Sequence, residues 1–222
     1  MRIRGIVQPE IGVDPIAQQV KAESPVTTSP VTLGDPGPLG LAGFALTTFV
    51  LSSLNADIIV PNADKNHAIF ISLAVFYGGL AQLLAGMWEY RAGNTFGATV
   101  FGSYGAFWLS LAAISIPGFN IRASLHDPEP AIGLFLLGWT IVTALLTIGA
   151  FRINGVLALT FTVLLLTFIA LTYGHLVKAA PWVRIGGWLG LLTAALAWYI
   201  MLAGILRSVG GSFQLPLFPF KK

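Results

Sequence analysis

The distribution of charge along the chain constrains its fold more than any other feature. Six stretches of at least 21 residues contain no Asp, Glu, Lys or Arg: 36–56, 66–88, 92–121, 130–151, 153–177 and 185–206. A helix that crosses a bilayer needs about 20 predominantly apolar residues. All six stretches are long enough, and they lack the period-two alternation of barrel strands. The sequence therefore predicts an all-α integral membrane protein, a six-helix bundle with spans near 38–56, 67–90, 95–116, 131–150, 155–177 and 182–206.

The composition excludes several classes of function. Only 9% of the 222 residues are charged and 55% are hydrophobic, whereas about 25% are charged in an ordinary soluble domain. The surplus of 12 Lys and Arg over 9 Asp and Glu is too small to indicate a nucleic-acid partner. The absence of cysteine excludes a thiolate metal site and a cysteine nucleophile. We therefore expect no cofactor, no metal and no enzymatic activity.

The two ends of the chain differ from its middle. Residues 1–34 are polar, contain four prolines and lack the apolar segment of a signal peptide, so we expect a flexible N-terminal tail. The six-helix domain is predicted at 35–207, followed by a short, loose C-terminal tail at 208–222. Eight Lys and Arg lie on the side of the termini and four on the other side. This asymmetry predicts cytoplasmic termini in a plasma or inner membrane.

Helical spacing places small polar groups in stripes along several spans. On the first span, one face carries Phe44, Thr48, Ser52 and Asn55; on the fifth, one face carries Leu157, Thr160, Leu164, Thr167 and Leu171. Polar stripes interrupted by bulky apolar side chains are typical of a narrow pathway with a hydrophobic constriction. The same stripes also fit a structural role, because membrane Ser and Thr often bond to the carbonyl four residues before them. The candidate pathway residues are Thr47, Thr48, Ser52, Asn55, Gln82, Asn94, Thr95, Ser103, Thr143, Thr160 and Thr167.

Ionisable side chains are nearly absent from the predicted spans. No Asp, Glu, Lys or Arg lies in the body of any span except Glu89, which is near the cytoplasmic end of the second span. Ion-coupled carriers usually keep such residues at membrane depth. A carboxylate would here meet neutral donors, which can pass either the anion or the neutral acid with its proton. Glu89 is the candidate for proton coupling, or else an interfacial carboxylate beside Arg91.

Four sequence blocks occur in order along the first three spans. They are Asp35-Pro36-Gly37-Pro38-Leu39-Gly40-Leu41, Phe76 to Gln82, Glu89 to Gly97, and Ser103 to Trp108. The first block suits a helix start, because Asp35 can cap and proline is tolerated in a first turn. Together the blocks resemble the acetate/succinate permease family, also called the YaaH or acetate uptake transporter family. Its N-P-x-P-L-G-L signature has Asn where this chain has Asp35, which adds a negative charge at the mouth.

The resemblance implies transport of acetate and similar small monocarboxylates, with succinate as a further candidate and protons as possible co-substrates. It also implies a homo-oligomer, expected to be a hexamer, with one pore in each protomer. By motif position and alignment, the constriction residues it implies are Phe44, Tyr104 and Leu164. Both a channel and a proton-linked permease fit this expectation.

Two other functions fit a small six-helix protein with a neutral interior. One is a urea or amide channel, against which the four blocks argue. The other is a structural membrane protein without transport, in which the polar stripes serve only helix packing. An intramembrane serine protease is disfavoured, because Ser103 lies in Gly102-Ser103-Tyr104 and the histidines of the spans lie at their ends.

Overall fold

The computed structural model describes residues 33–59 and 68–220. Within them are six helices long and apolar enough to cross a membrane: α1 Gly37–Asn55, α2 Ile69–Arg91, α3 Thr95–Ser115, α4 Pro128–Ala150, α5 Gly155–Leu176 and α6 Ala180–Val209. These bounds confirm the predicted all-α fold and place each span within a few residues of its expected position. The predicted tail at 1–34 lies outside the described residues except for its last two.

Polar side chains at the helix starts explain where several helices begin. The Asp35 carboxylate accepts a hydrogen bond from the Gly37 N–H at 2.9 Å. Asn94 caps α3 and Asn154 caps α5, each through a side-chain oxygen that accepts from the backbone N–H three residues later. These contacts satisfy donors that have no partner within the helix. Prolines in the first turns of α1, α4 and α6 need no such partner.

The helices pack as a ring around a shared interior. The helices follow one another around the ring in chain order, and α6 packs against α1. The contact between α3 and α4 is the weakest of these neighbouring pairs. The ring closes between α3 and α4 mainly through side chains. There, Phe107 meets the Trp139 ring edge-on at 5.2 Å, and the Tyr104 hydroxyl lies 2.9 Å from Thr143 Oγ1. Side chains on the inner faces of all six helices therefore share one interior.

A π-helical turn at Phe76–Ala81 interrupts α2. The turn packs closely on α1: a Cβ at Gly43 would lie 2.6 Å from the Tyr77 carbonyl oxygen, and a Cβ at Gly78 would lie 2.6 Å from Thr47 Oγ1. Glycine is therefore required on both sides of this contact. A π-turn changes the helical register, so the residues after it point in directions that a continuous α-helix would not give them.

The segment after α6 is held against the bundle, where the sequence indicates a loose tail. Because α6 continues to Val209, the segment begins at 210. The Gly155 N–H donates to the Phe218 carbonyl oxygen at 2.9 Å, and the Phe220 N–H donates to the Ile153 carbonyl oxygen at 3.2 Å. These are backbone contacts between distant parts of the chain, so no side-chain pattern signals them.

Candidate transport pathway

Two cavities lie within the ring of helices, one toward each end. We call the end where α1 begins and α6 ends the proximal end, and the opposite end the distal end. The proximal cavity has a volume of about 300 Å³ and the distal cavity about 820 Å³. The two cavities share no lining residue, so a buried layer of side chains separates them.

The predicted stripe on α1 runs from one cavity to the other. Phe44 lines the proximal cavity and Asn55 lines the distal cavity. Between them, Thr48 and Ser52 are buried, with 6% and 5% of their surfaces exposed. The spacing of these four residues along one helix face therefore follows the line that joins the cavities.

The predicted stripe on α5 behaves in the same way. Its first three members line the proximal cavity and its last member lines the distal cavity; in order they are Leu157, Thr160, Leu164 and Leu171. Thr167 is buried between them and bonds to the Val163 carbonyl oxygen at 2.9 Å. Two helices thus present matching series of apolar and hydroxyl side chains to the same interior.

The three candidate constriction residues all belong to the lining of the proximal cavity. Phe44, Tyr104 and Leu164 all line it and are all buried. The Phe44 and Tyr104 rings lie 5.7 Å apart. The Tyr104 hydroxyl is paired with Thr143, a buried candidate residue on α4, so the tyrosine ring is held in place.

A second aromatic layer, not found from the sequence, lies beyond Tyr104. The Phe168 ring stacks on the Tyr104 ring at 6.5 Å and meets the Phe107 ring edge-on at 5.5 Å. Tyr104 lines the proximal cavity and Phe107 the distal one, whereas Phe168 is buried and lines neither. Phe168 therefore lies in the layer that separates the cavities. The sequence does not reveal this position, because Phe168 is one of many apolar side chains in its span.

Gln82 is the most unusual polar group of the interior. Its side chain is fully buried and lines the proximal cavity. Among the described residues, neither its amide oxygen nor its amide nitrogen has a hydrogen-bond partner, and the same is true of Thr48 Oγ1. A buried polar group without a partner is destabilising, so native proteins seldom keep one without a reason. A water molecule or a polar ligand in the cavity would satisfy the amide.

Three polar side chains lie together at the proximal mouth. Glu89 is buried, with 3% of its surface exposed, and accepts a hydrogen bond from Asn94 Nδ2 at 2.8 Å. Asp35 lies on the other side of Gly37, where a Cβ would be 3.0 Å from Asp35 Oδ1 and 3.4 Å from Glu89 Oε1. Arg207 also lines this cavity, so the mouth contains both signs of charge.

Seven candidate pathway residues line neither cavity. Thr48, Ser52 and Thr167 belong to the stripes on α1 and α5, and Thr143 bonds to Tyr104. The other three are Thr47, Thr95 and Ser103. The Thr47 hydroxyl donates to the Gly43 carbonyl oxygen at 2.8 Å and contacts the π-turn, so it serves helix packing. Thr95 is exposed at the start of α3, and Ser103 is half-buried on that helix.

The residues of the first sequence block, 35–41, occupy different positions around the start of α1. Asp35, Pro38 and Leu41 line the proximal cavity. Gly40 packs against the Phe101 ring, which an added Cβ would approach to 2.7 Å. Pro36 precedes α1 and Leu39 is 48% exposed. The signature therefore supplies both a helix start and one edge of the proximal mouth.

Charged residues line the distal cavity and form pairs. Glu129 contacts both Arg122 and His175, with N···O distances of 2.7 Å. Arg184 pairs with Asp57 at 2.9 Å, which joins the start of α6 to the chain just after α1. Among the described residues, the acids that line the distal cavity are thus paired with basic side chains, whereas the layer between the cavities is neutral.

Six apolar helices around an interior with two cavities define a multi-pass membrane protein, and the polar stripes mark a candidate pathway through it. The chain belongs to the GPR1/FUN34/yaaH family, whose model matches residues 18–222. This match confirms the resemblance seen in the four sequence blocks.

Relatives and a solved structure agree with this assignment. The chain is 44% identical over 203 residues to acetate permease A of Emericella nidulans, covering 84% of this chain and 66% of that protein. It is 35% identical over 187 residues to the succinate-acetate/proton symporter SatP of Escherichia coli, covering 83% of this chain and 95% of that protein. The structure of the bacterial acetate channel SatP superimposes with a TM-score of 0.76 at 34% identity, covering 84% of this chain and 99% of that one.

The chain matches only part of the length of several fungal relatives. It spans between 61% and 71% of the length of five of them, including acetate permease A.

Proposed function

We propose that the chain conducts acetate and similar small monocarboxylates across a membrane through the interior between its two cavities. The observation that carries the proposal is Gln82, a fully buried amide that lines the proximal cavity without a partner among the described residues. Its N–H groups can donate to a carboxylate. The bulky side chains of Phe44 and Leu164 line the same cavity, which favours a small substrate. Two relatives named for acetate transport support the same substrate class.

The chemistry of the interior favours passive conduction of the anion. Between the cavities, the described side chains offer hydroxyl and aromatic groups and no acid or base. Such donors can bind an anion weakly enough to release it. With a carboxyl pKa of about 4.3 as a guide, only about 1 in 500 molecules of a small carboxylic acid is neutral at pH 7. A pathway for the anion therefore meets far more substrate than one for the neutral acid, and we propose a channel-like mechanism.

Succinate is proposed as a poorer substrate than acetate. It must carry a second carboxylate past Phe44, Tyr104 and Leu164 and then past Phe168. Moving a second charge through this apolar layer adds a desolvation penalty that acetate does not have.

The proposal is tested with purified protein in liposomes, in which uptake of labelled acetate and labelled urea is compared at pH 7. We expect acetate uptake well above that of empty liposomes and no added urea uptake. Urea uptake without acetate uptake would instead support an amide channel. Absence of both would support a structural protein without transport.

We also propose a homo-oligomer, with a hexamer as the expected state and one pathway in each protomer. Apolar side chains cover outward faces, for example Leu134, Ile141, Leu145 and Ile148 on α4, which are 57–67% exposed in the single chain. Lipid or a second copy would cover them. Native mass spectrometry of the detergent-solubilised protein tests the number, and a monomer at all concentrations would refute association.

We propose further that the proximal end faces the cytoplasm, because Lys and Arg are more numerous on that side. Labelling of a single cysteine introduced at Ser212, which is exposed after α6, tests this in intact cells. Labelling by an impermeant reagent before lysis would contradict the orientation.

A further inference from the structure

The segment after α6 contributes to the proximal cavity. We call residues 215–220 the strap. Leu217 lies among the residues that line the cavity. Leu215 and Leu217 are half-buried, whereas Pro216 and Phe218 are exposed. This alternation is that of an extended segment with one face against the bundle.

Backbone hydrogen bonds attach the strap to the turn between α4 and α5. Pro219 pairs with Asn154 in an isolated antiparallel bridge. On either side of it, the Gly155 N–H donates to the Phe218 carbonyl oxygen at 2.9 Å and the Phe220 N–H donates to the Ile153 carbonyl oxygen at 3.2 Å. The Gly155 N–H belongs to the first turn of α5 and has no acceptor within that helix. Removing the strap would therefore leave this donor without a partner.

Two further hydrogen bonds hold the backbone around Leu217, one from α5 and one from α6. Its own carbonyl oxygen accepts from the Val156 N–H at 3.4 Å. One residue earlier, the Pro216 carbonyl oxygen accepts from the Tyr199 hydroxyl of α6 at 2.9 Å. The strap therefore joins α5 to α6 across the proximal mouth, and the Leu217 side chain is placed toward the cavity.

We infer that the strap is a fixed wall of the transport pathway and that Leu217 is a further specificity-determining residue, because its side chain narrows the proximal mouth. The inference rests on the proposed function. It places a size restriction at the mouth, separate from that of Phe44, Tyr104 and Leu164. A substrate with a longer apolar part than acetate must pass both.

The first test uses the absence of cysteine from the chain. The Leu217→Cys variant carries a single thiol, which is modified in proteoliposomes with methanethiosulfonate reagents of increasing size. We expect acetate flux to fall as the reagent becomes larger, by about tenfold or more for a benzyl group, because the added bulk occupies the mouth. The Leu215→Cys variant is the matched control, since Leu215 is half-buried on the same strap but does not line the cavity. Its modification is expected to change flux less than about twofold.

Mass spectrometry measures the extent of modification, and thermal unfolding in detergent shows whether the fold is retained. Complete modification of the Leu217→Cys variant with unchanged flux would overturn the inference. A thiol at this position that no reagent modifies would also overturn it, because the mouth would then be closed to water. An equal loss of flux in the Leu215→Cys variant would indicate general disturbance of the strap and contradict the assignment to Leu217.

The second test asks whether the wall is fixed. A Cβ at Gly155 would lie 3.5 Å from the Phe218 Cβ, within the range of about 3.5–4.5 Å for a disulfide. The double variant Gly155→Cys, Phe218→Cys is expected to form a disulfide on oxidation and to conduct acetate equally well before and after it. If oxidation abolishes acetate flux, reduction restores it and neither single variant shows the loss, the strap has to move during transport. That result would overturn the inference that the strap is a fixed wall.

The two proposals fail in different ways. Absence of acetate flux from the unmodified protein would refute the proposed function and the inference with it. Normal acetate flux that is indifferent to modification at Leu217 would refute the inference alone.

Discussion

The substitution Gln82→Met separates a functional role of this side chain from a structural one. Methionine keeps a similar length but removes both polar atoms. Gln82 is fully buried and neither atom is hydrogen-bonded within the described chain, and an unsatisfied buried polar group costs about 1–3 kcal/mol. Water in the cavity offsets part of this cost. We therefore expect the free energy of unfolding to stay the same or to rise by about 1 kcal/mol.

The same substitution is expected to reduce acetate flux. A hydrogen bond to a charged group contributes about 1.5–3 kcal/mol, and each 1.4 kcal/mol corresponds to about a tenfold change. If the amide stabilises the carboxylate where passage is slowest, flux falls by about 10- to 100-fold. Stability and transport should thus change in opposite directions.

The assay is initial uptake of labelled acetate into liposomes with matched protein content, together with thermal unfolding of the same preparations. Thr47→Val is the control, because Thr47 is equally buried but lines neither cavity and bonds to its own helix. Its flux should remain near that of the parent protein. Clear destabilisation of Gln82→Met with unchanged flux would refute the reasoning, because the amide would then have a structural partner.

Three further substitutions test other parts of the pathway. Leu164→Ala should raise the ratio of lactate to acetate flux by about tenfold, since one methylene in an apolar site discriminates by about 1–3 kcal/mol; an unchanged ratio in competition assays would remove Leu164 from the constriction. Phe168→Leu should raise acetate flux about threefold or more, because it thins the aromatic layer between the cavities; unchanged flux with a folded protein would place the barrier elsewhere. Glu89→Gln should leave downhill acetate flux within about twofold of the parent, because a glutamine oxygen can still accept from Asn94; complete loss would make Glu89 a coupling residue.

The membrane spans could be predicted from the sequence because the bilayer imposes a simple requirement. Each crossing needs a long segment without charge, and the chain has six of them. The stripes on α1 and α5 could be predicted for a related reason, since a regular helix returns to the same face every three or four residues. Phe44 and Asn55 therefore reach opposite cavities along one face.

Regular periodicity also distinguishes two of the candidate residues from each other. Thr47 and Thr48 are consecutive and point about 100° apart on a helix, so the two side chains meet different neighbours. Thr48 follows the stripe, whereas Thr47 packs against the π-turn. Composition alone makes the two threonines equivalent, and only their neighbours distinguish them.

Features that depend on contacts between distant residues could not be predicted. The π-turn at Phe76–Ala81 interrupts a span that is predicted as one continuous helix, and the strap pairs through backbone atoms that any sequence possesses. Phe168 is assigned to the layer between the cavities only because it packs against both Tyr104 and Phe107, which line different cavities. In each case the packing of several helices determines the position.

The most direct test of the account measures labelled acetate in liposomes that contain the purified protein, with and without an imposed pH gradient. An interior of neutral donors predicts rapid acetate flux that reaches equilibrium and continues after the gradient is collapsed. Acetate accumulation above equilibrium, after subtraction of the trapping seen in empty liposomes, would contradict passive conduction and require a proton-coupling group such as Glu89.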